Sequence, residues 1–226
     1  MKIDARTEWP MWLLIAAMFA LAAWTWSAAP DRLPVHWGIT GQADRWGGKF
    51  EGLLLMPLVA MGLYLLTAFL PRIDPGRANY ASFTGAYRTI RLVILLVLAA
   101  IYVSTVLKAR GVTIDMAVVV PLGVGAMFVL LGNVLGKLRP NWFVGIRTPW
   151  TLSSKESWTR THRAGGWVFI TIGFLLMGVA LFRTQRFVEW TVGAAAAAVV
   201  GLAVYSYFVW KRDPDKTPPA GTLPAG

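Results

Sequence analysis

Six stretches of this 226-residue sequence run for 16 to 21 residues without an Asp, Glu, Lys or Arg. They are Pro10–Ala29, Gly52–Leu70, Leu92–Leu107, Met116–Gly136, Ala164–Phe182 and Trp190–Trp210, together about half the chain. A helix that crosses the hydrocarbon core of a bilayer needs about 20 mostly apolar residues. The third stretch is shortest because Arg91 and Lys108 bracket it, and both are expected to snorkel toward the interface. Each run is too long for a buried strand and lacks the period-two alternation of a half-buried one. Composition agrees: 56% of residues are hydrophobic and 15% charged, against about 45–50% and about 25% in soluble domains. The expectation is an all-α integral membrane protein, a bundle of six transmembrane helices.

The first run could be mistaken for a signal peptide, whose apolar region is about 7–15 residues. This one is 20 residues long, with Trp9, Trp12, Trp24 and Trp26 in or beside it, so it is read as a retained span. Trp9, Trp24, Trp26, Trp167, Trp190 and Trp210 all fall near span ends, where aromatic belts form.

Basic residues set the orientation. With alternating loops assigned to alternating faces, 15 Lys and Arg fall on the side of the two chain ends and 7 on the other. Positive loops favour the cytoplasm, so both the N- and C-termini are expected there. The organisation is then a cytoplasmic N-terminus (1–9) and a first helix pair (10–70) enclosing an outer loop (30–51). Spans three and four (71–136) follow, then a cytoplasmic loop (137–163), spans five and six (164–210) and a tail (211–226). The tail is Pro- and Gly-rich and is expected to be disordered. The net charge of +11 is accounted for by topology and contact with anionic lipid, so the bilayer is the expected partner and direct nucleic-acid binding is not. The absence of cysteine excludes disulfides, a thiol nucleophile and Cys-type zinc sites.

The outer loop, APDRLPVHWGITGQADRWGGKFE, is turn-rich but carries Trp37, Trp46 and Phe50 as apolar anchors. His36, Asp44 and Glu51 are metal-ligand types, but their spacing diagnoses no metal site. The expectation is that Asp44 and Glu51 pair with Arg45 and Lys49, leaving His36 a surface imidazole.

The inner loop reads KLRPNWFVGIRTPWTLSSKESWTRTHR. Ser153 and Glu156 have capping-box spacing, so a helix is expected to start near Ser154 and run into span five. Trp158 and His162 are then neighbours one turn apart. Before them, Gly145, Arg147, Thr148, Pro149 and Trp150 combine a flexible position, a planar cation, a fixed turn and an amphipathic ring. Arg147 is suited to phosphate, carboxylate or backbone carbonyls.

Gly132-Asn133, Lys137, Pro140-Asn141, the block Gly145–Ser153, Trp158, Thr161-His162-Arg163 and Gly166 closely resemble the signature of the SdpI/YfhL immunity-protein family. Leu33-Pro34-x-His36-Trp37-Gly38, Gly41, Asp44-Arg45-Trp46-Gly47 and Lys49 resemble the companion DUF1648 segment. The resemblance covers roughly residues 10–185. It implies a multispanning protein of the bacterial inner membrane. The family's namesake protects a producer cell from a secreted killing peptide and holds a transcriptional repressor at the membrane, so a secreted toxin peptide and a cytosolic repressor are the partners it implies.

The function expected is recognition without turnover and without a cofactor or metal. The outer loop would contribute His36, Trp37, Asp44, Arg45 and Lys49. The inner segment would contribute Asn133, Asn141, Gly145, Arg147, Thr148, Pro149, Trp150, Trp158 and His162. Within it, Arg147 is assigned anion or carbonyl contact, Trp150 and Trp158 interface anchoring, and His162 a polar link to the Gly145–Trp150 turn. Two alternatives stand beside it. A transporter of neutral substrate or peptide would use uncharged spans held by Thr25, Thr67, Ser104, Asn133 and Tyr205, and Pro57 and Pro121 at similar depth hint at two related halves. A membrane enzyme acting on lipid or cell-wall precursor headgroups would use His162 with Arg147 and Lys155, or His36 with Asp44. His36 and His162 fall on opposite faces, so they cannot serve one substrate.

Overall fold

The computed structural model describes residues 4–38 and 41–217. Helix α1 spans Ala5–Trp26 and is followed by a hairpin of β1 (Leu33–Trp37) and β2 (Ala43–Gly47). Helix α2 occupies Phe50–Ile73, its first turns (Phe50–Leu54) wound as a π-helix. Then come α3 (Tyr80–Ala109), α4 (Met116–Leu135), the single turn α5 (Pro149–Leu152), α6 (Lys155–Phe182) and α7 (Gln185–Arg212). All but α5 are long and apolar enough to cross a membrane, six in total among the described residues.

Short polar residues set where these helices begin. Asp4, Asp115, Ser154 and Thr184 are N-caps whose side chains accept from backbone N–H groups of α1, α4, α6 and α7. The capping box lies elsewhere than expected: Thr148 and Thr151 cap α5 reciprocally, while Glu156 turns away from the helix end to pair with Arg160 at 2.6 Å. Helix α6 ends at Arg183, a left-handed residue (φ 53°) that lets the chain reverse into α7.

The outer loop adds β structure that a purely helical reading left out. Strands β1 and β2 pair antiparallel, Leu33 opposite Gly47 and Trp37 opposite Ala43, with irregular register around His36. Leu33 is the buried foot of this hairpin, packed on Gly52 of α2.

Helices α1, α2 and α3 form one packed group, with Met11, Ile15, Met18, Leu53, Leu95 and Tyr102 in its core. Helices α4, α6 and α7 form the second, and α3 packs on α4 between them. A smaller core, of Tyr80, Phe83, Tyr87, Leu135, Leu138 and Trp158, joins the groups at the end holding the inner loop.

At the α4–α6 seam the backbones of two helices touch. A Cβ on Gly125 would lie 2.6 Å from the Gly173 carbonyl oxygen, and one on Gly132 2.6 Å from that of Gly166. Seven residues separate the glycines on each helix, so both contacts recur on one antiparallel stripe. Small residues that let backbones touch are the usual means of holding helices in lipid, where the hydrophobic effect gives no drive between them.

Arg91 does not snorkel. It lies 2% exposed inside the first helix group, and its guanidinium is held bidentately by Glu8, also 2% exposed. A partnered guanidinium is cheaper to bury than a lone one, and Glu8 on the facing helix α1 supplies that partner. The expected disordered tail is also revised where it is described: Lys211 and Arg212 close α7, and Thr217 donates to the Ser153 carbonyl oxygen at 3.0 Å. Residues 218–226 of that tail lie outside the described residues.

Candidate functional site

At the inner loop the chain is fastened to two other loops before it can present anything. The Asn141 side chain donates to the carbonyls of Arg139 and Val144 and accepts from the N–H groups of Phe143 and Val144, all at 2.7–3.0 Å. Buried and fully engaged, it acts as the internal clip of the Arg139–Val144 bend. Asp74, in the α2–α3 turn, takes the next bond: it accepts from the Trp142 N–H at 3.1 Å, from the Tyr80 hydroxyl at 2.9 Å and from the Gly76 N–H at 2.6 Å. Three donors satisfy a carboxylate that is 1% exposed.

His162 sits at the centre, wholly buried and stacked on Trp158 with ring centroids 4.1 Å apart. Its Nδ1 faces the Trp158 carbonyl at 2.8 Å and its Nε2 faces the Ile146 N–H at 2.9 Å. A carbonyl can only accept and an amide can only donate, so the ring is the neutral tautomer carrying its proton on Nδ1. Gly145 follows from this: with φ 115° and the imidazole where its Cβ would stand, no other residue fits.

Arg147 is exposed and donates to the Trp142 carbonyl at 2.6 Å, closing the loop and leaving the rest of its fork outward. Thr148 reaches Ser206 of α7 at 2.9 Å, and Pro149 opens α5. Trp150, half-buried, meets the Tyr207 ring edge-on at 5.3 Å. Trp158 is not an interface anchor: it is wholly buried, its Nε1 donating to the Leu138 carbonyl at 3.1 Å. The helix continues through residues 155–163, turning that ring inward onto Tyr80 and Leu138. Asn133 faces away from the bundle, its amide donating to the Val129 carbonyl one turn back. The structure thus gathers Asn141, Gly145, Arg147, Thr148, Trp158 and His162 around one loop and leaves Asn133 apart.

At the opposite end the hairpin carries the second set. His36 Nδ1 lies 2.6 Å from Asp44 Oδ1 across the two strands, both side chains more than half exposed. That pairing differs from the expected one because the hairpin register sets His36 opposite Arg45, one residue from Asp44, whereas Arg45 reaches forward to Glu51. Lys49 donates to the Trp26 carbonyl at 3.2 Å, pinning the hairpin to the end of α1. Trp37 is half-buried, while Trp46 and Phe50 stand exposed. Close by, Arg110 lies 3.8 Å over the Trp24 ring, and Arg183 pairs with Asp115 at 2.5 Å between the α6–α7 and α3–α4 turns. The Arg183 hydrogen bond holds the Asp115 carboxyl below its usual range.

Glu8, Asp74, Tyr80 and Ser206 went unrecognised in the sequence, and Arg91 was read as facing the interface. The signal for Arg91 was a cation at the edge of an apolar run, but its partner lies 83 positions away.

Two family models and a curated relative match this sequence. Residues 137–210 match the SdpI/YfhL protein family and residues 13–61 match the domain of unknown function DUF1648. "Immunity protein SdpI" of Bacillus subtilis (strain 168) is 23% identical over 206 residues, covering 88% of this chain and 94% of that protein. No solved structure matches. With six apolar helices and this near full-length similarity, the chain is a multi-pass protein of the bacterial inner membrane, similar to the SdpI immunity protein and bearing both the SdpI/YfhL and DUF1648 patterns.

Proposed function

We propose that this protein confers resistance to a secreted antimicrobial peptide by binding it, without chemical turnover. The observation that carries the reading is the similarity to an immunity protein along 94% of that protein's length, hairpin and inner loop included. Physical chemistry supports the absence of catalysis at the inner loop. General acid–base work needs a nitrogen able to exchange a proton with substrate. Both nitrogens of His162 are committed to backbone groups, and the ring is sealed from solvent.

In this reading the hairpin meets the peptide at the outer face through His36, Trp37, Asp44, Arg45 and Lys49, with Trp46 and Phe50 as exposed apolar contacts. Both termini lie in the cytoplasm, as the basic-residue asymmetry favours. The inner loop, through Arg147 and its neighbours, docks a cytosolic partner such as a repressor. Expression in a strain sensitive to an SdpC-like toxin tests the core of this. Survival should rise with membrane-inserted protein and fall again in a Trp46→Ala/Phe50→Ala variant. Unchanged killing with the protein confirmed in the membrane refutes it.

A further inference from the structure

At the inner-loop end of the molecule, a cleft of about 1160 Å³ opens between the α2–α3 turn, the Arg139–Pro140 bend, the start of α6 and the last turn of α7. Its size is ample for a headgroup or a small ligand. Three observations bear on what occupies it.

The first is charge. Arg139, Lys155, Arg160 and Arg212 line the cleft. Of its carboxylates, Glu156 pairs with Arg160 at 2.6 Å, buried Asp213 accepts from the Ser154 hydroxyl, and Asp215 also lines the wall. Among the described residues, Arg139, Lys155 and Arg212 have no ion-pair partner. With Arg160 paired, these three cations outnumber the carboxylates Asp213 and Asp215, so the lining keeps a net positive charge that attracts an anion, and the Arg forks suit phosphate oxygens.

The second is depth. Trp150, Tyr207 and Trp210 cluster beside the cleft, with ring centroids 5.3 and 6.1 Å apart along the series. Such rings settle at the headgroup level of a bilayer. The third is the wall itself. Tyr205 and Phe208 of α7 line the cleft while remaining 40% and 50% exposed, and the exposed apolar row continues along α7 through Val204, Val200 and Val192. The anion site therefore opens directly onto the path of an acyl chain.

We propose that this cleft binds the phosphate of an anionic phospholipid, held by Arg139, Lys155 and Arg212, with its acyl chains along the exposed face of α7. A soluble phosphate shares the polar chemistry but not the apolar wall. The site is separate from the outer hairpin, so it stands or falls independently of toxin resistance.

Native mass spectrometry of the full-length protein released from nanodiscs tests this, using equimolar phosphatidylcholine and phosphatidylglycerol. Retained phosphatidylglycerol should drop about tenfold or more in Arg139→Gln/Lys155→Gln/Arg212→Gln, given the contribution of each cation near anionic lipid. The charge-matched variant Arg72→Gln/Arg77→Gln/Lys137→Gln, altered outside the cleft, should retain it. Equal loss in both variants, or loss in neither, overturns the site. In uncharged detergent, inorganic phosphate should fail to displace the retained lipid; displacement at comparable concentration assigns the cleft to soluble phosphate and overturns the lipid. Should the triple variant misfold, Lys155→Gln alone must show a partial loss, and wild-type retention there counts against the proposal.

Discussion

The Arg91 guanidinium grips both oxygens of Glu8, at 3.0 and 2.8 Å, across the interface of α3 and α1. Its Nε donates to the Thr67 hydroxyl of α2 at 3.1 Å, and the Tyr64 ring faces it at 5.0 Å. All three helices of the first group therefore meet at one buried ion pair.

Breaking that pair one partner at a time leaves an uncompensated charge. Arg91→Met or Glu8→Met is expected to destabilise by about 3–5 kcal/mol, whereas the double replacement should recover much of the loss. Thermal unfolding in detergent checks this: a double-variant loss equal to the sum of the two single losses would show that no coupling exists.

The α4–α6 stripe makes a steric prediction. Gly132→Leu or Gly166→Leu should force the helices apart at a cost of about 1–3 kcal/mol. Gly193→Leu on α7, where a Cβ meets open space, should be tolerated. Melting temperatures of the three variants, with size-exclusion profiles, decide the matter.

The turn before Arg147 depends on both of its buried members. Gly145→Ala pays backbone strain of about 1–3 kcal/mol for a positive φ and displaces His162 as well. His162→Phe keeps an aromatic ring on Trp158 but leaves the Ile146 N–H without its acceptor, a cost of about 1–3 kcal/mol. Limited proteolysis in residues 141–150 should accelerate in both, and unchanged cleavage in Gly145→Ala would contradict the assignment.

Acid should loosen the outer turns. The Arg183 bond lowers the Asp115 pKa in the folded state, so its contribution is complete above the unfolded value near 3.8. It is lost as pH falls from there through the folded pKa. Asp115→Asn should therefore flatten the acid limb of stability below about pH 4 while staying less stable at neutral pH. Identical acid limbs for variant and wild type would remove Asp115 from the account.

Orientation is directly measurable because the chain has no cysteine. Asp44→Cys should react with an impermeant maleimide in intact cells, and Arg147→Cys only after permeabilisation. Equal labelling of both would overturn the assigned topology.

The six spans were legible because bilayer length and the penalty for charge in hydrocarbon act on contiguous stretches, and contiguity is what a sequence displays. The same holds for the start of α6: a Ser before a polar first turn marks it, though Ser154 caps through Ser157 and the box formed at Thr148–Thr151 instead. Local spacing likewise made Trp158 and His162 neighbours one turn apart, and in the structure their rings stack. It could not say that the Trp158 ring would be buried, since that depends on Tyr80 and Leu138 arriving from α3 and the inner loop.

What tertiary structure alone decided is every pairing between distant segments. Glu8 lies 83 residues from Arg91, Asp74 lies 68 from Trp142, and Gly125 faces Gly173. An isolated cation at the edge of an apolar run looks equally fit to reach outward to water or inward to a carboxylate. Only the packing of α1 on α3 makes the inward choice the lower in free energy. Hydrophobic length is a property of one segment, whereas satisfying a buried charge requires two.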